Sequence, residues 1–370
     1  MAGLKKTDFD DLAGWYAHDH KTAFAVFCDS AAPLLQKPPT SRVGSARADA
    51  LLRIAKEALT QPKILDQHAA RLFFETHFEP FFIDKPGLLT GYYEPVVEGR
   101  VKRDEIFYVP LHKRPDDLVA LSSEDAKAAG FTEETSFARK TDQGFEFHYD
   151  RAEVMDGALD GKDLELIWLK DPLDAFVIHI QGSAQIDLGN RKTLRIAFDG
   201  KSGHPYQSLG KYLINKGIFT KNAITMDKLI QYLRDTGKEG VDLLRQNPSY
   251  IFFKAVSESN ETTPGYGPKA AAGVPLAPMR SLAVDRHRHT FGLPFWLETT
   301  LPDRQGTDQP FQQLVFAHDT GSAIKGAARG DLFVGTGPDA GILAGKLQQK
   351  TRFTCLMPRQ DTGSVGWERH

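Results

Sequence analysis

Residues 316–345 read FAHDTGSAIKGAARGDLFVGTGPDAGILAG, and the fold prediction depends on this stretch. A short apolar run leads into Asp319, small residues follow, and a second carboxylate, Asp331, precedes an apolar run that is typical of a strand. Small residues allow tight backbone turns, so the pattern predicts two acids held at strand ends in a cleft. The alternative is that both aspartates only cap turns, since Asp-Thr-Gly and Gly-Asp are common turn sequences.

The composition is that of an ordinary globular protein. Of the 370 residues, 41% are apolar and 25% charged, and the formal net charge of −2 indicates neither a nucleic-acid partner nor electrostatic membrane binding. The length predicts two domains or one large one. Two cysteines, Cys28 and Cys355, are compatible with one long-range disulfide or with two buried thiols, and they are too few for a zinc cluster.

The beginning of the sequence has no apolar core of the kind found in signal peptides. It reads MAGLKK, and no later stretch is long and apolar enough to span a bilayer. We therefore expect either a cytoplasmic protein or a mature form from which a signal has been removed.

Residue spacing predicts helices near residues 22–28, 46–59 and 65–78, followed by a β-rich middle region with helices towards its end. Within that region, residues 175–185 read AFVIHIQGSAQ and are interpreted as a buried strand that ends in small and amide residues. Residues 88–95, LLTGYYEP, are interpreted as a strand that runs into a turn, with two tyrosines beside a carboxylate.

Three other chemistries were considered from the residues. A metal site would use Asp285 and the histidines His287, His289 and His318, but interleaved arginines favour a cationic surface segment. A dinucleotide site would use the Gly-x-Gly-x-x-Ala pattern at 335–340, but no βαβ pattern follows it. A nucleophilic serine or cysteine lacks its usual sequence context. Acid–base chemistry by carboxylates, typical of enzymes that act on glycosides, is the remaining hypothesis.

Seven blocks of sequence, taken in order, carry a resemblance to a known family. They are TGYYEP at 90–95, VPL at 109–111, IQGSAQ at 180–185, NPSYIFF at 247–253, VPL at 274–276, SLAVDR at 281–286 and the stretch 318–345. With these blocks, the chain resembles the membrane-bound lytic murein transglycosylase A family over most of its length. The last two blocks resemble the three-aspartate domain of that family, with its aspartates at Asp285, Asp319 and Asp331.

The resemblance implies a mainly β fold with flanking helices and a substrate groove between two domains. Residues 1–97 and 258–370 would form a double-psi β-barrel domain that carries the N-terminal helices, and residues 98–257 would be an inserted smaller β-domain. The implied activity is non-hydrolytic cleavage of the β-1,4 bond between N-acetylmuramic acid and N-acetylglucosamine, which leaves a 1,6-anhydromuramic end.

The resemblance also implies roles for single residues. Asp331 would be the catalytic acid, protonated at rest because an apolar wall of Leu332 and Phe333, together with Asp319, raises its pKa. Asp319 would orient the site and hold the glycine-rich loop, and Asp285 is interpreted as structural. The residues expected to line the sugar groove are Thr90, Tyr92, Gln181 and Gln185. No metal and no cofactor are expected.

One feature departs from the family pattern, which is Asp-x-Gly-Gly where this chain has Asp319-Thr320-Gly321-Ser322. Serine fits there unless the position requires a positive φ. Two alternatives to the transglycosylase stay open: a non-catalytic peptidoglycan-binding module, and a true hydrolase in which Asp319 activates water.

The resemblance extends to location and partners. Members of the family are exported and often anchored in the outer membrane, so we expect the periplasmic side of a bacterial cell envelope and a mature form of the chain. Peptidoglycan glycan strands are the expected partner, other cell-wall enzymes are candidate partners, no nucleic acid is expected, and a monomer is expected.

Overall fold

The computed structural model describes residues 3–42, 45–62, 65–220, 224–256, 265–303 and 307–359. The helices in these ranges are α1 His20–Gln36, α2 Ala48–Thr60, α3 Gln67–His77, α4 Ser123–Ala128, α5 Arg151–Met155, α6 Pro172–Gln181, α7 Leu209–Asn215, α8 Met226–Asp235, α9 Lys238–Leu243 and α10 Pro338–Lys346. The strands are β1 Leu4–Lys6, β2 Phe78–Ile83, β3 Leu88–Glu94, β4 Val96–Arg100, β5 Val109–His112, β6 Leu118–Ala120, β7 Phe137–Thr141, β8 Gly144–Glu146, β9 Glu165–Leu169, β10 Ser183–Gly189, β11 Lys192–Lys201, β12 Ile251–Ala255, β13 Ser281–Val284, β14 Pro294–Pro302, β15 Asp308–Asp319, β16 Arg329–Thr336, β17 Gln348–Lys350 and β18 Arg352–Pro358.

The prediction of a mainly β protein with helices is confirmed. The chain forms two compact units. The first comprises Met1–Gly91, Thr263–Val334 and Leu347–His370, and the second comprises Tyr92–Thr262 and Gly335–Lys346. The chain thus leaves the first unit within β3, returns to it after β12, and visits the second unit once more through α10.

The first unit is built on a nine-stranded sheet with the order β1-β2-β18-β14-β15-β13-β16-β3-β17. The pairing of β13 with β15 is parallel, whereas β13 pairs with β16 in the antiparallel direction. Helices α1 and α3 supply aromatic side chains to the core of this unit, and α2 supplies aliphatic ones. The rings of Phe24 and Phe73 lie 4.9 Å apart, and Phe27 lies 5.8 Å from Phe316 of β15. These contacts fix the helices on the sheet that carries both aspartates of the opening stretch.

The second unit contains a six-stranded sheet with the order β12-β11-β10-β4-β9-β5 and a three-stranded sheet β6-β7-β8. One apolar cluster of this unit includes Leu111, Ile167, Ile186, Ile196 and Phe253, all of them fully buried. These side chains come from four strands of the larger sheet and its edge strand β5, so the sheet and its apolar face define this unit.

The predicted strand at 175–185 was wrong over its first part, which is helix α6. The side chain of Asp171 accepts a hydrogen bond from the Leu173 amide, Pro172 occupies the first turn, and Gly182 ends the helix with φ 81°. Ile178 packs into the sheet core, whereas Phe176 packs into a separate cluster of helices. Because two faces of the helix are buried, the segment lacks the amphipathic period by which a helix is recognised.

Two further observations concern the whole described chain. Both cysteines are free thiols, and burial raises the pKa of Cys28 to about 11 and that of Cys355 to about 12. Within the ranges given above, no helix combines the length and the apolar character that a membrane span needs.

Candidate active site

Strand β13 brings the two aspartates of the opening stretch to the same end of the sheet. Ala283 of β13 is in register with Asp319 of β15 on one side and with Asp331 of β16 on the other. Neighbouring strands lie about 4.8 Å apart, so the two aspartate backbones are separated by roughly 10 Å. The third aspartate, Asp285, follows the last residue of β13 directly. Asp285, Asp319 and Asp331 therefore all lie near the same end of three adjacent strands.

Asp331 is held by a directed pair of hydrogen bonds. The hydroxyl of Thr90 donates to Oδ1 of Asp331, and Nη2 of Arg329 donates to the same hydroxyl oxygen at 2.8 Å. A guanidinium can only donate and a hydroxyl has one proton, so Arg329 forces that proton towards Asp331. Oδ1 is thus occupied as an acceptor, and the proton of a neutral Asp331 carboxyl belongs on Oδ2.

Burial raises the pKa of Asp331 above its ordinary value, although the charge of Arg329 and the hydrogen bond from Thr90 act in the opposite direction. The residue nevertheless keeps a minor part of its surface exposed. Side chains alternate along a strand, so Phe333 lies on the same face as Asp331 and Leu332 on the other face. Of the two residues of the expected apolar wall, Phe333 is therefore the one that shares the face of Asp331, and it is fully buried.

Asp319 ties the end of β15 to the segment that precedes β13, and Thr320 ties it to the end of β13. Its Oδ1 accepts a hydrogen bond from the amide of Ala271 at 3.0 Å, and the hydroxyl of the next residue, Thr320, donates to the carbonyl oxygen of Val284 at 2.9 Å. Ser322 is absent from the described non-glycine residues with positive φ, which are Asp163, Asn190, Arg191 and Met279. Serine in place of the second glycine therefore needs no strained backbone.

Asp285 is buried, with 5% of its surface exposed, and both of its carboxylate oxygens accept backbone hydrogen bonds. Oδ1 accepts from the amide of His287 at 3.0 Å and Oδ2 from the amide of Gly326 at 2.8 Å. The guanidinium of Arg288 lies 3.5 Å from Oδ2. These contacts fasten the end of β13 to the loop that leads into β16, which is the arrangement that a structural aspartate would have.

The second unit contains a buried carboxylate, Glu94, whose burial and partners are not predictable from the sequence. Glu94 is fully buried; its Oε1 lies 2.8 Å from Nε of Arg195, and its Oε2 accepts from Arg195 Nη2 at 3.1 Å. The same oxygen accepts from Gln185 Nε2 at 3.1 Å and from the hydroxyl of Thr336 at 2.9 Å. Three segments that are distant in the sequence therefore meet at this one carboxylate.

Of the residues expected to line the groove, the two glutamines have structural contacts in the second unit. Gln185 donates to Glu94, and Oε1 of Gln181 accepts from the amide of Tyr93 at 3.0 Å. Tyr92, which precedes Tyr93 on β3, is half-buried. Thr90 instead contacts Asp331 within the first unit. The structure thus brings Thr90 to Asp331, and it brings both glutamines to the strand that carries Tyr92; contact of any of them with sugar stays a prediction.

The histidines that were considered as metal ligands have protein partners. His318 contacts the hydroxyl of Ser281 through Nδ1 at 2.9 Å, and burial lowers its pKa to about 3. Nε2 of His289 donates to the carbonyl oxygen of Ala327 at 2.8 Å. In the described part of the chain, no group of three or more His, Cys, Asp or Glu residues is arranged to hold a metal ion.

Comparison with known families gives two matches that together include most of the residues discussed above. Residues 88–254 match the model of the MltA specific insert domain, and residues 280–357 match that of the 3D domain. The first range contains Thr90, Glu94 and both glutamines, and the second contains the three aspartates.

Curated relatives carry one name. The membrane-bound lytic murein transglycosylase A of Vibrio cholerae is 32% identical over 268 residues, which are 71% of this chain and 63% of the relative. The protein of the same name from Escherichia coli K12 is 33% identical over 282 residues, 75% of this chain and 67% of the relative. The match to the Vibrio protein therefore spans less than two thirds of that protein.

Solved structures match over nearly the whole chain. A membrane-bound lytic murein transglycosylase from Agrobacterium tumefaciens is 34% identical, with a TM-score of 0.87 and coverage of 96% of this chain and 98% of that one. MltA of E. coli with bound chitohexaose is 25% identical, with a TM-score of 0.66 and coverage of 97% and 94%.

Proposed function

Because this chain belongs to the membrane-bound lytic murein transglycosylase A family, we propose that it is a peptidoglycan lyase. It cleaves the β-1,4 bond between N-acetylmuramic acid and N-acetylglucosamine without water and leaves a 1,6-anhydromuramic end. The E. coli relative whose structure holds chitohexaose supports a glycan strand as the ligand.

Asp331 carries the proposed chemistry as an acid and then as a base. Its neutral carboxyl donates the proton on Oδ2 to the glycosidic oxygen as the bond from C1 to that oxygen breaks. The C6 hydroxyl oxygen of the same muramic acid then bonds to C1, and the Asp331 carboxylate accepts the proton that this hydroxyl loses. One bond is broken and one is formed, the acid is regenerated, and no water is consumed.

The observation that carries this proposal is the surroundings of Asp331. Burial keeps its pKa raised, which favours a neutral acid ready to donate. The Thr90 hydroxyl occupies Oδ1 and leaves Oδ2 as the oxygen with a transferable proton. Two-carboxylate hydrolases need a second carboxylate to activate water. Here Asp319 already accepts the amide of Ala271, which supports a positioning role over that of a base.

We also propose roles for the remaining residues. Asp319 holds the loop that follows β15, and Asp285 holds the end of β13. Thr90 orients Asp331 and faces the reacting sugar, and the side chains that bind more distant sugar units are Tyr92, Gln181 and Gln185. These assignments rest on the contacts described above and on the resemblance to the family.

Further parts of the proposal concern architecture and location. The nine-stranded sheet of the first unit is proposed to be a double-psi β-barrel, which the parallel pair β13–β15 beside the antiparallel pair β13–β16 supports; an experimental structure in which β13 and β15 are not parallel neighbours would contradict it. The domain boundaries near residues 97 and 258 stay a proposal. We propose action as a monomer on the periplasmic side of the cell envelope, because the curated relatives are named membrane-bound.

The Asp331→Asn variant tests the catalytic assignment. Asparagine keeps the shape of the side chain but cannot donate a carboxylic proton, so turnover should fall by about 10²- to 10⁴-fold while binding to purified sacculi is kept. The matched Asp319→Asn variant should change the rate less and leave the anhydro product unchanged. Full activity of Asp331→Asn, or an equal loss in both variants, would contradict the assignment.

A further inference from the structure

A cationic cavity lies in the first unit, beside the strand ends that carry the aspartates. Its volume is about 160 Å³, and its walls include Lys37, Arg42, Ala271, Arg286 and His289. A cavity needs only about 10–15 Å³ of such volume to hold one water, so this one has room for a carboxylate and several waters. We call it the cationic cavity.

The charges of this cavity are of one sign. Among the residues that the structure describes, no ion pair joins Lys37, Arg42 or Arg286 to a carboxylate, and no acidic side chain lines the walls. Elsewhere in the same unit, arginine is paired, as in the contact of 2.6 Å between Arg47 and Asp49. Cations that converge without a counter-ion repel one another, and a bound anion relieves that repulsion.

The neighbouring titratable groups do not cancel this charge. Asp285 precedes Arg286 in the chain, but its Oδ2 lies 3.5 Å from the guanidinium of Arg288, which balances its charge. Asp319 accepts the amide of the wall residue Ala271, and its single negative charge is fewer than the three positive charges of the walls. Burial lowers the pKa of His289, whose Nε2 donates to Ala327, so this ring is neutral. The cavity therefore offers a net positive surface with one neutral imidazole.

The walls are held in place by hydrogen bonds between distant segments. The hydroxyl of Thr290 accepts from the amide of Arg42 at 3.1 Å and donates to the carbonyl oxygen of Ala46 at 2.6 Å. Ala271 of the opposite wall donates its amide to Asp319. Asp319 and Asp331 flank the same residue of β13, Ala283. The cavity therefore lies next to the proposed catalytic site, on the side of Asp319.

We propose that the cationic cavity binds a carboxylate carried by the muramic acid of the substrate, either on its lactyl arm or on the peptide attached to that arm. This inference rests on the proposed function, because it takes a muramic acid glycan as the ligand. Arginine binds carboxylates through two parallel hydrogen bonds, and two arginines face this cavity. The site gives the protein a means to distinguish murein from a neutral glycan of the same backbone.

Binding of three glycans of equal length tests the proposal, each measured by titration calorimetry in the Asp331→Asn background, in which cleavage is too slow to alter the titration. One bears peptides, the second has a free lactyl carboxylate after removal of the peptides, and the third is neutral chitohexaose. The variants are Arg42→Gln and Arg286→Gln. The control is Arg47→Gln, which removes the same charge from a nearby surface ion pair.

The expected result is that each cavity variant loses about tenfold in affinity for one or both anionic glycans and keeps its affinity for chitohexaose, whereas the control changes neither. If affinity falls for the peptide-bearing glycan alone, the bound carboxylate belongs to the peptide. If affinity falls for the peptide-free glycan alone, the bound carboxylate belongs to the lactyl arm. The preference should also weaken as salt is added.

Several results would overturn the inference. An equal loss in the control would show that only long-range charge matters, and unchanged affinities in the cavity variants would remove the site. Loss of binding to phosphatidylglycerol vesicles with unchanged glycan affinity would assign the cavity to a lipid phosphate instead. If chitohexaose and both anionic glycans fail to bind the parent protein, the proposed function itself fails, which is a separate outcome.

Discussion

Replacing Thr90 by valine removes the hydroxyl that links Arg329 to Asp331, while it keeps a branched side chain that suits strand β3. Asp331 becomes a carboxylate as it gives up its proton, and hydrogen bonds to charged groups contribute about 1.5–3 kcal/mol. If this contribution is made in the transition state, the rate should fall by about 10- to 160-fold, since 1.36 kcal/mol corresponds to a factor of ten. Thr90→Ser keeps the hydroxyl and should keep most of the activity.

The pH dependence of the same variant follows from the causes of the Asp331 pKa. The hydrogen bond from Thr90 lowers this pKa, so its removal raises it. Asp331 must be protonated to act as an acid, and activity is lost as pH rises through its pKa. The alkaline limb of the kcat/KM profile should therefore move to higher pH in Thr90→Val and stay in place in Thr90→Ser.

The assay is the initial rate of release of anhydromuropeptides from soluble glycan strands, measured across pH for the parent and both variants. Equal damage by serine and valine, or an alkaline limb that stays fixed or moves to lower pH in Thr90→Val, would refute the idea that the hydroxyl acts through Asp331. Arg329→Gln in both backgrounds provides a check, since two groups in one hydrogen-bonded chain should be non-additive.

Two further predictions concern stability. Glu94→Gln leaves the guanidinium of Arg195 buried without its carboxylate and should destabilise the second unit by about 3–5 kcal/mol in urea unfolding. A change under about 1 kcal/mol would contradict a stabilising role of the Glu94 contacts. Gly330→Ala places a methyl group 2.8 Å from Cδ1 of Leu282, so we expect a loss of about 1–3 kcal/mol in the first unit together with reduced turnover from the displaced Asp331; unchanged thermal unfolding and rate would show that the strand has room to move.

Local sequence patterns predicted the β-rich character and the three N-terminal helices. They failed at residues 175–181, where β-branched residues favoured a strand. The cap at Asp171, the proline at 172 and the glycine at 182 were the helix signals, but a helix buried on two faces shows no amphipathic period. Tertiary packing decided this segment, and packing is not visible in a window of ten residues.

The candidate site was predicted in its residues but not in its connections. Asp331 and Thr90 were both predicted as site residues, yet 241 positions separate them. No local pattern indicates that the hydroxyl of Thr90 donates to the carboxylate of Asp331. Arg329 was passed over because a single arginine before Gly-Asp has no sequence signature. The burial of Glu94 was not predicted because its partner Arg195 lies 101 positions away. Long-range hydrogen bonds of this kind require the fold.

The measurement that most directly tests the central claim is mass spectrometry of the products released from purified peptidoglycan in water enriched in heavy oxygen. The account predicts muropeptides that are one water lighter than hydrolytic products, without a reducing end and without heavy oxygen, and release from the Asp331→Asn variant that is slower by about 10²- to 10⁴-fold. Products with a reducing end that carry heavy oxygen would contradict it, because water rather than the C6 hydroxyl would then be the nucleophile.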